Sequence, residues 1–598
     1  MNCKTKFLAT TALTNFWDIT QPIVFLGDWC VKSEEELKKA GVHGEFLSAD
    51  STDSSCSKEA FYYTNKVYES LLPKISEWLN NIHQETYSLQ YWRMIVGPFL
   101  LWYIQVVHHR FVHLKAAFQL YPNIKTFGLA SHSFLTPIDT SEFYFFASES
   151  DAWNLQLITQ ILECTSMTSL RYFPHYWEAE LACREKKLSN IVKYKNSTQL
   201  KLNILKYFLK IWPFRKVGLA CCMHEFSKRN ILKLIIRSGF RIFPVVEMQT
   251  MRFEQERKYN VDSQLRQSLK NLLIGDGFID LILKTLVVNM PLNFVEHYKQ
   301  EIDRSKKHFP YKIDAVISTT WMQHDLLKMW GAYQKSEFST KLVNIQHGGG
   351  YGMVNYCTYE ILERKNCDVF ISWGWTETKE ILPASSILAC ERFFDNKKNR
   401  LLEKNPSRAL WIANEIVRYT PYISSYYQSP RSHYLEWQSR FFHSLSKYTA
   451  SQVTMRLMPA SKKVEIVKKY MPNLNIYAPK EKGSFFNQLR GVKILLCDTL
   501  NTTFLYAFVF NVPVLIFASQ KFWTVRQEVS ADFNELKRLH IYHDTPESAA
   551  NWLNENYDNI DKIWHTKEIQ LIRKNFVDRF ARVNVNWVIE WKNILLNL

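Results

Sequence analysis

The sequence predicts an α/β protein of two lobes facing a cleft, with a basic helical insertion in the first lobe. Three observations carry this reading. Short β-rich runs alternate with helix-length segments from DAVIST (314–319) to DVFISWGW (368–375), and again from ALWIAN (409–414) to VPVLIFA (512–518). That alternation is the pattern of βαβ units in a parallel sheet. A polar, charged stretch, NKKNRLLEKNPS at 396–407, separates the two series. Finally, 598 residues with 46% hydrophobic and 15% aromatic side chains exceed one core and exclude a disordered or fibrous chain.

Taken in order, QPIVFLGDWC (21–30) reads as a buried strand running into a loop, and 58–120 as helix. The apolar run MIVGPFLLWYIQVV (94–107) is followed by His108, His109 and Arg110 and falls short of the roughly 18–20 residues that span a bilayer, so a buried helix is expected. The strands expected next are 314–319, KLVNIQ (341–346) and 368–375. After the linker come 409–414, QVTMRLMP (452–459), NLNIYAP (473–479), VKILLCD (492–498) and 512–518, and the last fifty or so residues read as amphipathic helix. This divides the chain into a first lobe at 1–395, with its helical insertion at about 150–300, a linker at 396–407, a nucleotide-binding lobe at 408–545 and closing helices at 546–598.

The formal net charge is +18 and it is concentrated. Residues 184–216 hold ten Lys or Arg against one Glu, and KRNILKLIIRSGFR (228–241) holds no acidic residue. On a helix, LNILKYFLKIW (202–212) sorts its apolar residues to one half and Lys206 and Lys210 to the other. Such a helix either packs on its own domain with its lysines in water, or lies on an anionic membrane surface. Zinc-finger spacing, RNP-type strands and a recognition helix are all missing, so nucleic acid is not an expected partner. The eleven cysteines show no C-x-x-C pair and the N-terminus no export signal, which suggests reduced thiols and a cytoplasmic protein, peripheral on the membrane.

Three loops stand where open parallel sheets bind ligands, beyond the carboxyl ends of strands. In NIQHGGGYG (344–352), three consecutive glycines allow close backbone approach and present N–H groups to an anion, while His347 can move a proton. In CDTLNTTFLYAF (497–508), Asp498 ends a strand and Asn501, Thr502 and Thr503 open a helix, which makes either an anion site or plain capping. In MRLMPASKK (455–463), Arg456 ends a strand and could meet the same phosphate. The chain contains no D-x-D, H-E-x-x-H, G-x-S-x-G, P-loop or dinucleotide fingerprint. No metal or other cofactor is expected.

These segments, together with FLATTALTNFWDITQPIVFLGDWC (7–30), YWRMIVGPFLLWY (91–103), ISWGW (371–375), RLMP (456–459) and DTLNTTFLYAFVFNVPVLIF (498–517), resemble a transferase family encoded in O-antigen and surface-carbohydrate gene clusters. The resemblance runs over nearly the whole chain in the same order. It implies a GT-B-type glycosyltransferase of two Rossmann-like lobes, distantly similar to enzymes that move Kdo or sialic-acid-like sugars from CMP donors. It further implies a donor nucleotide on the C-terminal lobe and an acceptor on the N-terminal lobe.

Carried over by position, Gln346, His347, Gly348 and Gly349 line the cleft, Arg456 meets the donor phosphate, and Asp498, Thr499, Thr502 and Thr503 form the nucleotide turn. Arg93 and Asp28 stand on the acceptor side, with Trp373 and Trp375 either stacking on a sugar or packing in the core. His347 and Asp28 are the leading bases, and Glu360 and Glu363 candidate partners of the catalytic apparatus. Two positions depart from related sugar transferases, Met458 where His is common and Tyr506 where Glu is common. The resemblance thus implies metal-independent transfer to a lipid-linked, O-antigen-type glycan. A CDP-polyol phosphotransferase and a non-catalytic nucleotide-binding relative are the alternatives.

Overall fold

The computed structural model describes residues 6–598 except 33–36, 38–40, 49–52, 179, 183, 185–206, 210, 221–225, 246–259, 396–407, 415–416, 426–430, 459–460, 462 and 479–484. The linker expected at 396–407 lies outside the described residues, as does most of the basic stretch at 184–216.

Every strand pairs in parallel within the named sheets. The chain opens with a small sheet of β1 (Phe7–Ala9), β2 (Ile23–Phe25) and β3 (Gly44–Phe46) in the order β1-β2-β3. Beside it lie β4 (Phe127–Leu129) and β5 (Arg171–Phe173). A bridge from Phe7 to Lys125, with the Leu8 amide donating to the Lys125 carbonyl at 2.8 Å, joins the two pieces. The running order is therefore β3-β2-β1-β4-β5, a doubly wound order. The sequence reading anticipates β2 as a strand but not this third α/β unit. Strands of three residues carry too little periodicity to separate from buried loop.

The Lys58–His83 and Gly97–Leu120 helices pack on each other beside this unit. The latter is buried on nearly all sides, which explains its continuous apolar run. Among the described residues no helix is long and apolar enough to cross a membrane.

The second sheet runs β11-β10-β9-β8-β6-β7, from β6 (Val217–Ala220), β7 (Ile242–Val245), β8 (Ala315–Ser318), β9 (Lys341–Ile345), β10 (Val369–Ser372) and β11 (Ile381–Pro383). Here the insertion at about 150–300 needs correction, because it is not wholly helical. It contributes β6 and β7, and β6 is an interior strand bonded to β8. Both are only four residues long and embedded in lysine- and arginine-rich sequence, so the helical periodicity of their surroundings masks them. Pro244 sits in β7 at the sheet edge, where a missing N–H costs no ladder bond.

The third sheet runs β14-β13-β12-β15-β16, from β12 (Arg408–Ile412), β13 (Val453–Arg456), β14 (Asn475–Tyr477), β15 (Val492–Cys497) and β16 (Val514–Ile516). Its strands are the five read from the sequence beyond the linker. The last of the closing helices does not stay with it, although the others do. The Trp587–Asn597 helix crosses to the second sheet, where Trp587, Trp591 and Leu595 join Leu219, Ile317 and Ile345 in one core. Lys341 Nζ holds its end by donating to the Leu598 carbonyl at 2.8 Å.

Candidate active site

β9 delivers Gln346 to the sheet's carboxyl edge, where it is fully buried. Its side chain braces the loop, with Nε2 donating to the Gly348 carbonyl at 2.8 Å. Its Oε1 accepts from the Trp373 amide at 2.9 Å and from Trp375 Nε1 at 2.8 Å. Gly350 and Gly352 turn the chain through positive φ, at 86° and 69°. Gly349 serves a different need, because a Cβ there would meet the Asn501 carbonyl carbon and the Thr502 nitrogen at 2.6 Å. Its own amide donates to Thr502 Oγ1 at 2.8 Å. The glycines of the β9 loop thus let the backbone of the first lobe touch the helix N-terminus of the second.

His347 sits at this junction with its side chain 25% exposed, and its Nδ1 lies 3.2 Å from Oε1 of the fully buried Glu363. Burial raises the Glu363 carboxyl above the usual range, against the pull of the neighbouring imidazole. Tyr351 and Tyr359 wall the imidazole edge-on, with ring centroids 5.7 and 5.9 Å away. Glu363 and Glu360 share the Thr358–Lys365 helix but have different partners. Glu360 accepts from the Gly352 amide at 3.0 Å, from Arg526 Nη2 at 2.7 and 2.8 Å and from Arg364 at 3.0 Å.

Across the junction, β15 leads to Asp498, whose carboxylate points beneath the turn. It accepts from Trp411 Nε1 at 2.9 Å, the Tyr434 hydroxyl at 2.9 Å and Gln438 Nε2 at 2.6 Å. Burial still pushes this carboxyl up to about 6. The Thr502–Phe510 helix follows Asn501, which makes no side-chain cap bond, so first-turn N–H groups face the junction with the positive end of the helix dipole. Asn501 Nδ2 reaches Asn414 Oδ1 at 3.4 Å, at the end of β12. Arg456 ends β13, one strand further, largely buried, and burial draws its guanidinium below the ordinary value while leaving it charged.

The structure therefore brings together His347, Gly348, Gly349, Thr502 and, behind the imidazole, Glu363, while the Thr503 hydroxyl turns back to Cys497 Sγ at 3.9 Å. Other expected site residues stand elsewhere. Gln346 and Asp498 are buried braces of the two loops rather than their lining, and Thr499 is buried beside Asp498. Trp373 and Trp375 are almost wholly buried between the lobes, Trp373 facing Tyr506 at 6.1 Å and Trp375 lying against Gly352. Tyr506 therefore occupies an aromatic core, a place that suits no carboxylate. Glu360 is saturated by two arginines and an amide. Arg93 holds Glu69 in a fork at 2.9 and 2.8 Å on the Leu89–Ile95 helix. Asp28 accepts from the Ser432 amide at 3.1 Å, tying the first α/β unit to the third. Nothing in the sequence singles out Asn414 or Tyr359, whereas Tyr351 stands within the glycine-rich loop itself.

The segment following β12 straps the units together. Arg418 Nη1 donates to Asp151 at 2.7 Å and its Nη2 to the Trp29 carbonyl at 3.0 Å. Ile423 accepts from Thr358 Oγ1 at 2.6 Å, so the helix that carries Glu363 is fixed from the second lobe as well.

The second and third sheets thus form two parallel α/β lobes that meet through the loops after β9 and β15, with a last helix crossing back to the first. The chain belongs to the LIC12162 family of transferases, which it matches over residues 6–595. No curated protein matches it by sequence. Among solved structures it is similar to MurG from Acinetobacter baumannii, at 13% identity over 64% of this chain and 100% of that one, with a TM-score of 0.34. It is similar to a UDP-GlcNAc 2-epimerase from Methanocaldococcus jannaschii at 11% identity over 64% and 99% of the two chains, with a TM-score of 0.35. The wall teichoic acid polymerase TagF matches at 10% identity over 71% and 98%, with a TM-score of 0.31.

Proposed function

We propose that the chain is a glycosyltransferase that moves a sugar from a nucleotide-activated donor, a CMP-linked nonulosonate or Kdo-like sugar in the favoured case, to an O-antigen-type glycan on a lipid carrier. The observation that carries this reading is the Gly349–Thr502 contact, which sets the loop of His347 against the N-terminus of the Thr502–Phe510 helix, where Asn501 provides no side-chain cap. A leaving phosphate there gains the helix dipole and backbone donors, with Arg456 two strands away at the end of β13. Charge on the leaving group is thereby neutralised by the protein itself, without need of a metal.

His347 supplies the base. Glu363 at Nδ1 fixes the tautomer that leaves Nε2 for the acceptor hydroxyl and stabilises the imidazolium that forms as the proton arrives. Asp28 and Arg93 take no part in this step, given their partners. A peripheral position at the cytoplasmic membrane surface follows from a lipid-held acceptor. The same dyad suits phosphotransfer from a CDP-linked polyol, because it too needs only an activated hydroxyl and a neutralised phosphate. Release of CMP from a CMP-sugar, measured against release from a CDP-polyol with lipid-linked acceptor present, separates the two. The reading expects turnover of the CMP-sugar, lost in His347→Ala. Turnover of the polyol donor alone, or of neither, refutes it.

A further inference from the structure

The first lobe carries a surface that the catalytic account does not use. Tyr207, Ile211, Phe214, Leu232, Ile236 and Phe240 are each more than half exposed, at 71, 63, 58, 56, 59 and 51%. Exposed apolar side chains scattered singly need no explanation, but these gather. Trp212 contacts both Phe214 and Phe240, with ring centroids 5.3 and 6.3 Å away. Leu232 and Ile236 project from the Lys228–Arg237 helix, whose opposite face, Ile231 and Leu234, is buried in the core with Trp587 and Trp591. Around them stand Arg215, Lys216, Lys228, Arg229, Lys233, Arg237 and Arg241, and the described residues between 207 and 241 include no acidic side chain.

An apolar crest bordered mainly by cations, with Asp314 at the Lys216 amide and Glu391 at the Ser227 amide as acidic neighbours on its margin, is the chemistry of an anionic lipid surface. The aliphatic and aromatic tips enter the headgroup–acyl boundary, and each cation near the surface adds about 1 kcal/mol of attraction. We infer that this face, centred on Leu232, Ile236 and Phe240, docks the chain on an anionic bilayer. The inference rests on the proposed lipid-linked acceptor for its purpose but not for its chemistry. The place fits that purpose. Phe214 precedes β6 and Phe240 precedes β7, so the surface lies at the amino-terminal ends of these strands, whereas His347 follows the carboxyl end of β9. Three strand spacings, roughly 14 Å, separate β7 from β9 in the sheet. Membrane contact there leaves the junction between the lobes open to a glycan extending from the surface.

The test is co-sedimentation of the full chain with vesicles of phosphatidylcholine alone and of phosphatidylcholine mixed with phosphatidylglycerol. Wild type partitions onto the anionic vesicles only, and less as salt rises. The triple variant Leu232→Ser/Ile236→Ser/Phe240→Ser and the charge variant Lys228→Glu/Arg237→Glu each lose at least about 10-fold in partitioning. The changed positions are exposed, and an unchanged melting temperature checks the fold. Equal binding to both vesicles, wild-type binding by the triple variant, or binding to polyanionic RNA in place of vesicles overturns the inference. Nucleotide-induced thermal shift is read on the same proteins. A wild type that fails to bind anionic vesicles but keeps its nucleotide shift sinks the surface alone, and a wild type that binds vesicles but shows no shift sinks the catalytic reading alone.

Discussion

His347 Nδ1 lies 3.2 Å from Glu363 Oε1, a half-sheltered imidazole backed by a carboxylate with no exposure at all. A buried acid is costly unless a partner holds it, and here the partner is the group proposed to carry the proton. His347→Ala is expected to lower kcat by about two to four orders of magnitude with little change in nucleotide affinity. Glu363→Gln keeps the shape and loses the charge. It should cost roughly one to two orders of magnitude and move the pH–rate profile of the imidazole downward. Steady-state kinetics across pH measure both. An unchanged profile in Glu363→Gln refutes the pairing.

Neighbouring glycines separate backbone approach from mere flexibility. At Gly349 a Cβ collides with the backbone of Asn501 and Thr502 at 2.6 Å, whereas at Gly348 the nearest atom is Thr502 Oγ1 at 3.6 Å. Gly349→Ala should destabilise by about 1–3 kcal/mol and weaken nucleotide binding, while Gly348→Ala should be close to neutral in stability. Urea denaturation and a nucleotide titration check the contrast.

Asp498 predicts a pH signature. Its folded-state value of about 6 lies above the ordinary 3.8, so the folded chain holds the proton more tightly than the unfolded one. Stability contributed by the protonated form is full below about pH 4 and falls as pH rises through 6, by about 3 kcal/mol at most. Asp498→Asn removes this component, although its amide sets a donor against the donors of Trp411, Tyr434 and Gln438 and lowers stability overall. Urea midpoints from pH 4 to 7 should decline less steeply in the variant. Parallel curves contradict the assignment.

The strap makes its own prediction. Arg418→Met leaves Asp151 buried with a weakened set of partners, namely Tyr419, Lys32 and the Ala12 amide, and should cost several kcal/mol. Because the same segment holds the Thr358–Lys365 helix through Ile423, turnover should fall even at temperatures where the variant stays folded. Activity below the melting transition, compared with wild type, tests this.

How far the sequence reaches is clearest residue by residue. KLVNIQ and VKILLCD announce β9 and β15 because buried parallel strands are written as short runs dominated by Val, Ile and Leu, and the glycines after β9 announce a close approach. What they approach was hidden, since Thr502 is more than 150 positions away and only folding joins them. Roles failed where one residue type has two uses. Asp498 and Gln346 look like ligand groups in a loop and are braces. Glu360 and Glu363, three positions apart on one helix, are indistinguishable until Arg526 and His347 take their sides. Trp373 and Trp375 follow a strand as a stacking platform would, but the second lobe closes over them.

The central claim is that the junction of the β9 loop with the Thr502 helix terminus holds a donor nucleotide through protein donors and Arg456. Thermal-shift binding of CMP, CDP, UDP, GDP and dTDP, each with and without magnesium, tests it most directly. The account predicts that a cytidine nucleotide raises the melting temperature without magnesium, that Arg456→Ala abolishes the shift, and that His347→Ala retains it. No shift with any nucleotide, or one that needs magnesium and survives Arg456→Ala, contradicts it.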